Sequence, residues 1–172
     1  LDSGAKLRGS VDKLIGQGAQ GIVLDLRNNG GGLLDESINV TSVFIQGGNI
    51  VSVAGRDGES QSYEARGNAN ESIPLVVLIN GYTASASEIV SGAIKDDSRG
   101  KLIGEKTFGK GVVQTIVPLS NGGGLKYTSG SYYTPKGTDI NKIGIEPDVV
   151  VVDDPATPGD EVLERGLAEL SR

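Results

Sequence analysis

The residues best suited to chemistry stand in three short stretches: "DLRNNGGG" from 25 to 32, "GYTASASEIVSGAIKDD" from 81 to 97 and "GEKTFGKGVVQ" from 104 to 114. In the second, Ser85 opens an apolar run, and Ser85-Ala-Ser-Glu88 matches the S-x-x-E capping box of a helix start. Ser85 therefore reads either as a cap or as a nucleophile at the positive end of a helix dipole. The chain contains no histidine and no cysteine. That excludes a Ser-His-Asp arrangement, a thiolate nucleophile and histidine or cysteine metal sites. The remaining bases are carboxylates and a lysine made neutral by burial, because an ordinary lysine keeps its proton at neutral pH. Lys110 is the candidate: Gly109 and Gly111 flank it, and Phe108, Val112 and Val113 offer an apolar neighbourhood that would disfavour its charged form. Gln114, four residues on, can donate and accept hydrogen bonds and so could orient the lysine as the aspartate orients histidine in a triad. The alternative for Lys110 is an exposed place on a turn, where most lysines of this kind stand.

The glycines at 30 to 32 end an apolar run, and such a backbone can take positive φ and bring N–H groups to an oxyanion, or can simply be a turn. Two other motifs carry less. Residues 104 to 111 nearly spell G-x-x-x-x-G-K-[ST], but Gly111 replaces the magnesium-binding hydroxyl and a strand-like run follows where a helix is needed. Ser98-Arg-Gly-Lys101 fits S-x-x-K, yet it falls where a helix ends and reads as a solvated turn.

Elements that could position these groups follow from periodicity. Leu7, Val11, Leu14 and Ile15 predict a helix over 4–17 with one buried face, "QGIVLDLR" a buried strand, and "LLDESINVTSVFIQ" a helix. "NIVSVAGR" and "SQSYEAR" alternate as a hairpin on a surface excursion, and "IPLVVLIN" is a second buried strand leading into the Ser85 helix. "KLIGEKT", "VVQTIVPLS" and "GLKYTSGSYYTP" read as further strands, followed by a loop, a short strand and a terminal helix near 160–171. Buried strands alternating with helices predict an α/β domain with β-rich additions. The 172 residues suit a single domain with its own core. A net charge of -6, from 22 acidic and 16 basic residues, argues against nucleic acid as a partner. The absence of methionine, even at position 1, reads as a fragment or processed product.

Taken in order, "LDLRNNGGG", "NGYTASASEIVSGAIKD" and "GEKTFGKGVVQ" resemble the C-terminal processing peptidases, also called tail-specific proteases, and "TPKGTDINKIGIEPDVVV" resembles the end of that family's catalytic domain. The resemblance spans roughly residues 4 to 170. It implies a crotonase-like α/β core and a serine peptidase in which Ser85 is the nucleophile, Lys110 the general base and Gln114 the residue that positions the lysine. It further implies an oxyanion hole at Gly31, with Gly32 as neighbour, and Ala86. No cofactor or metal is implied.

Family members cleave near the C-termini of unfolded or precursor proteins, outside the cytoplasm: in the bacterial periplasm or cell envelope, or the thylakoid lumen. They carry a PDZ domain that docks the substrate C-terminus by strand addition. Nothing in these residues looks like one, so the chain reads as a catalytic core, residues 1–172, truncated at its N-terminus, with the PDZ domain upstream. A sheet edge left unpaired by the truncation would favour homo-oligomers. The rival readings are a catalytically silent peptide-binding relative of the same fold, a nucleotide-binding protein using residues 104 to 111, and acyl-CoA chemistry on the same fold.

Overall fold

A computed structural model of the chain describes residues 2–56 and 58–171. In chain order its elements are α1 (Ser3–Gly16), β1 (Ile22–Asp25), α2 (Leu34–Thr41), β2 (Asn49–Gly55), β3 (Ser60–Glu64), β4 (Leu75–Ile79), α3 (Ala86–Asp96), β5 (Lys101–Gly104), β6 (Val112–Pro118), β7 (Gly124–Tyr133), β8 (Val149–Val150) and α4 (Glu161–Leu170). The strands form two four-stranded sheets, a parallel one in the order β1-β4-β5-β8 and an antiparallel one in the order β3-β2-β7-β6. This is a mixed α/β fold.

Every residue of β4 is buried, as a parallel strand covered on both faces requires. Val77 and Ile79 join Ile89 and Ile94 of α3, Val11 of α1 and Ile50 of β2 in the larger core. Val76 and Leu78, pointing the other way, pack with Ile103 and with Val162 of α4. Because β1, β4 and β5 run parallel, the loops that leave them, 26–33, 80–85 and 105–111, gather at one edge of the sheet. All three sequence stretches with candidate chemistry lie there, at the carboxyl ends of the strands where open α/β sheets bind ligands.

Three expectations need correction. Leu14 is 44% exposed, so the buried face of α1 is narrower than the four apolar positions imply. The helix expected over 33–46 stops at Thr41; the Thr41 and Ser42 hydroxyls bond back to the Ser37 and Ile38 carbonyls, and Val43, Phe44 and Ile45 leave the helix to enter the core. The β2–β3 hairpin is more than a surface excursion: Ile50 and Val51 are fully buried, and β2 is an inner strand bonded to β7.

Candidate active site

The turn between β4 and α3 places Ser85 at φ 57 and ψ -120, a conformation L-residues rarely adopt. A serine held in such strain on a strand-to-helix turn is the geometry that exposes a nucleophile in α/β hydrolases, and strained residues of this kind cluster at functional sites. The helix start itself is satisfied by neighbours. Glu88 Oε2 accepts from the Ser85 N–H at 2.8 Å, and the Glu88 N–H donates to the Ser85 carbonyl at 2.8 Å. The Thr83 hydroxyl, two residues before Ser85, donates to the Leu26 carbonyl at 2.8 Å.

Glu88 is fully buried and does more than cap. Its Oε1 accepts from the Thr107 hydroxyl and the Gly109 N–H, each at 2.6 Å, while Oε2 also accepts from the Lys110 N–H at 2.8 Å. One carboxylate thus carries four donors, which offsets the cost of burying it, and it ties the backbone of Ser85 to that of Lys110. The lysine loop is held from its other side by the segment 139–145. Lys142 N–H donates to the Gly109 carbonyl at 2.8 Å, Ile145 N–H to the Thr107 hydroxyl at 2.7 Å, and a Cβ on Gly111 would stand 2.2 Å from the Asn141 nitrogen. Gly111 is required by that close approach.

The Lys110 side chain is exposed, not desolvated in an apolar pocket as its neighbours suggested. Phe108 is itself 65% exposed, so the expected apolar cover points into solvent. Gln114 donates to the Thr128 hydroxyl at 2.7 Å, across the sheet from β6 to β7, and among the described residues no hydrogen bond joins it to Lys110.

The glycine loop meets the serine turn directly. Gly31 has φ 86, and a Cβ there would lie 2.5 Å from the Ala84 carbonyl oxygen and 2.6 Å from the Ala86 nitrogen. Only glycine fits this approach. Gly31 thus lies against Ser85 and Ala86, Gly32 shares a cavity wall with Gly31 and Ala86, and the Gly31 N–H donates to Asn29 Oδ1 at 3.0 Å and is engaged within its own loop. The Ala86 N–H has no acceptor among the described residues.

Arg27, just before the loop, bonds Asp25 and both oxygens of Asp160, the latter at 2.7 Å each. The bonds to Asp25 and Asp160 raise the guanidinium pKa further above its usual value, and the same contact holds the Asp160 carboxyl below its usual range. Beside Ser85 a cavity of about 550 Å³ is lined by Leu26, Leu33, Val40, Ala86 and Val90. Glu36 on its wall accepts from the Gly4 N–H at 3.0 Å, a bond that keeps this carboxyl below its usual pKa.

Residues 104–111 run from β5 through a loop into β6 with no helix start, and Ser98 and Lys101 fall on a turn and a strand, so neither of the weaker motifs forms its site. Among the described residues no group of three or more histidine, cysteine, aspartate or glutamate side chains is arranged to hold a metal ion. No helix of the described residues is long and apolar enough to cross a membrane.

Comparison with known proteins places the chain in a family. Residues 2–151 match the model of peptidase family S41, and the chain belongs to that family, a class of serine-type peptidases. Within it the chain is 52% identical over 134 residues to the C-terminal processing peptidase, chloroplastic, of Tetradesmus obliquus, which covers 77% of this chain and 29% of that protein. It is likewise 52% identical over 134 residues to the carboxy-terminal-processing protease of Bartonella bacilliformis, covering 77% of this chain and 31% of that one. Among solved structures, a photosystem II D1 C-terminal processing protease superposes with a TM-score of 0.85 at 44% identity, over 98% of this chain and 43% of that chain. The chain thus spans about a third of the length of the curated relatives it matches.

Proposed function

We propose that the chain is the catalytic core of a serine endopeptidase that hydrolyses peptide bonds near the C-termini of unfolded or precursor proteins. The observation that carries this reading is the strained Ser85 whose backbone is joined, through buried Glu88, to the backbone of Lys110. Ser85 Oγ attacks the scissile carbonyl while the Lys110 amine takes its proton. The protonated lysine then returns that proton to the leaving amine, and water repeats the cycle on the acyl-enzyme.

Charge developing on the carbonyl oxygen is met by the Ala86 N–H at the start of α3 and by the Gly31 N–H, which exchanges its bond to Asn29 Oδ1 for one to the oxyanion. Each such donor is worth on the order of 3 kcal/mol. Gln114, held by Thr128 through its amide nitrogen, keeps its carbonyl oxygen as the acceptor that orients the Lys110 ammonium. An extended peptide lying over exposed Leu33, Tyr82 and Phe108 supplies the apolar cover that Lys110 lacks, and the cavity of Leu26, Val40 and Val90 receives an apolar substrate side chain. Lysine desolvation is then a consequence of substrate binding.

A PDZ domain elsewhere in the full-length protein would deliver the substrate C-terminus, and the working compartment is extracytoplasmic, the bacterial periplasm or cell envelope or the thylakoid lumen. The relatives that the chain matches, including a chloroplastic one, support this. Exposed Ile116, Val117 and Leu125 on the β6–β7 hairpin, at a sheet edge, suit contact with a second copy. The exposure of Lys110 favours one competing reading, a catalytically silent peptide-binding relative of the same fold.

Mass-spectrometric mapping of products from unfolded casein decides between them. Full-length wild type should release new C-termini and Ser85→Ala none, a loss of about 10⁶-fold in kcat. Equal product yields from the two proteins would reject the peptidase reading.

A further inference from the structure

The loops that leave β1 and β4 are joined by side chains to which the reaction above assigns no part. Asn80 Oδ1 accepts from the Asn28 N–H at 3.0 Å and from the Tyr82 N–H at 3.1 Å, and Asn80 Nδ2 donates to Asn28 Oδ1 at 3.1 Å. Two backbone N–H groups can only donate, so the carbonyl end of the Asn80 amide must face them and its NH₂ must face Asn28. Asn28 sits at φ 58, in the left-handed region where asparagine is among the better-tolerated side chains.

Around this amide pair two more bonds repeat the connection, one of them through a hydroxyl set by the Asn80 backbone. The Asn80 N–H donates to the Thr83 hydroxyl at 3.0 Å, that hydroxyl donates to the Leu26 carbonyl at 2.8 Å, and the Ala84 N–H donates to the Asn29 carbonyl at 3.0 Å. The clasp therefore spans the whole approach between the glycine loop and the serine turn. Gly31 and Ala86, whose N–H groups are the oxyanion donors, lie on its two sides.

We propose that Asn80 is a positioning residue for the oxyanion site: through Asn28 it fixes the glycine loop against the Ser85 turn, so that the Gly31 N–H, on leaving Asn29 Oδ1, meets the same oxygen as the Ala86 N–H. The proposal rests on the reading of Ser85 as nucleophile. Oxyanion donors act only within about 2.7–3.1 Å of the oxygen, and their bonds strengthen in the transition state. A slack clasp therefore lowers kcat and leaves substrate binding nearly intact. Asn80→Ala removes both the acceptor and the donor. Asn80→Asp keeps an oxygen for the Asn28 and Tyr82 N–H groups, and its second oxygen takes a bond from Asn28 Nδ2 once the Asn28 amide turns over.

The test measures kcat, KM and melting midpoint for full-length wild type, Asn80→Ala, Asn80→Asp and Ser85→Ala on one fluorogenic peptide. Asn80→Ala should lower kcat by about 10²-fold, the scale of one lost oxyanion donor, with KM within twofold and the folded fraction unchanged at the assay temperature. Asn80→Asp should recover at least a tenth of the wild-type kcat. A rise in KM at constant kcat, or a fall in activity no larger than the fall in folded fraction, would overturn the positioning role. So would an Asn80→Asp variant as slow as Asn80→Ala while equally folded. If Ser85→Ala matches wild type, the nucleophile reading falls and takes this proposal with it, an outcome visible before any Asn80 variant is compared.

Discussion

The strand that leads to Ser85, the proposed nucleophile, is β4, which buries all five of its residues, whereas β6, entered directly from the Lys110 loop, leaves Gln114, Ile116 and Val117 exposed at the edge of the antiparallel sheet. The serine turn lies between two elements of the main core, with Val77 and Ile79 of β4 before it and Ile89, Val90, Ala93 and Ile94 of α3 after it. The lysine loop meets the core only through its neighbours Ile140 and Ile145. It is placed instead by hydrogen bonds, to Glu88 on one side and to residues 139–145 on the other. The proposed pair, Ser85 and Lys110, is thus joined across a half set in the core and a half held mainly by polar contacts by one buried group that belongs to both. Glu88 is that group.

Removing its shared role should have the largest effect. Glu88→Gln turns an NH₂ toward donors that now meet an oxygen, leaving one pair of N–H groups facing another donor. Stability in urea should fall by about 2–4 kcal/mol, since each buried unsatisfied group costs about 1–3 kcal/mol. Peptidase activity should fall further than the folded fraction alone explains, because the Ser85–Lys110 connection is broken. A variant as stable and as active as wild type would show that the two halves are joined some other way.

A paired substitution sharpens the contrast in packing. Val77→Ala, at a fully buried position, should cost about 2 kcal/mol through lost transfer and a residual cavity, while Ile116→Thr, at a position 68% exposed, should stay within about 0.5 kcal/mol. Equal costs in parallel urea melts would remove the distinction between the halves.

The smallest effect is expected at Arg27, which braces the glycine loop to the start of α4. Asp160→Asn keeps the α4 cap, an acceptor for the Leu163 N–H, and removes the ion pair. This pair is partly exposed, so about 1 kcal/mol or less is at stake. Its pH dependence has a definite sign. Asp160 is held below its usual value by Arg27, so its contribution is present above the unfolded-state carboxylate value and is lost as pH falls through the lower folded-state value. Urea melts at pH 7 should separate wild type from Asp160→Asn, and the gap should narrow as the pH is taken below the usual carboxylate range; a gap that widens in acid would assign the loss to something other than this carboxylate.

The same division between core and polar contacts explains what the sequence revealed. β4 and α3 were legible because five apolar residues in a row and a 3.6-residue apolar pattern are statements about burial, and burial built them. Ser85 and Lys110 stood out through residue type, spacing and family resemblance. The connection between them did not. The capping box disclosed the local half of Glu88, its bond to Ser85, but the bonds to Thr107, Gly109 and Lys110 arise only when β5 lies beside β4. Hydrogen bonds across about twenty residues leave no period in a sequence. Asn28 and Asn80 were hidden for that reason, as two amides in loops that already read as turns. The misjudged environment of Lys110 has a related cause: apolar neighbours in sequence, Phe108 above all, do not bury a side chain unless the fold folds them over it, and here they face solvent.

The most direct test of the account is the pH dependence of kcat/KM for cleavage of a peptide by the full-length protein, measured for wild type and for Lys110→Ala. If Lys110 is the general base, wild-type kcat/KM rises with pH as the amine loses its proton. Lys110→Ala then loses about 10²- to 10⁴-fold, the usual contribution of a positioned base, together with that rising limb. If Lys110→Ala keeps the wild-type rate and profile, Lys110 is not the base, and the joining of Ser85 to Lys110 through Glu88 has no catalytic meaning.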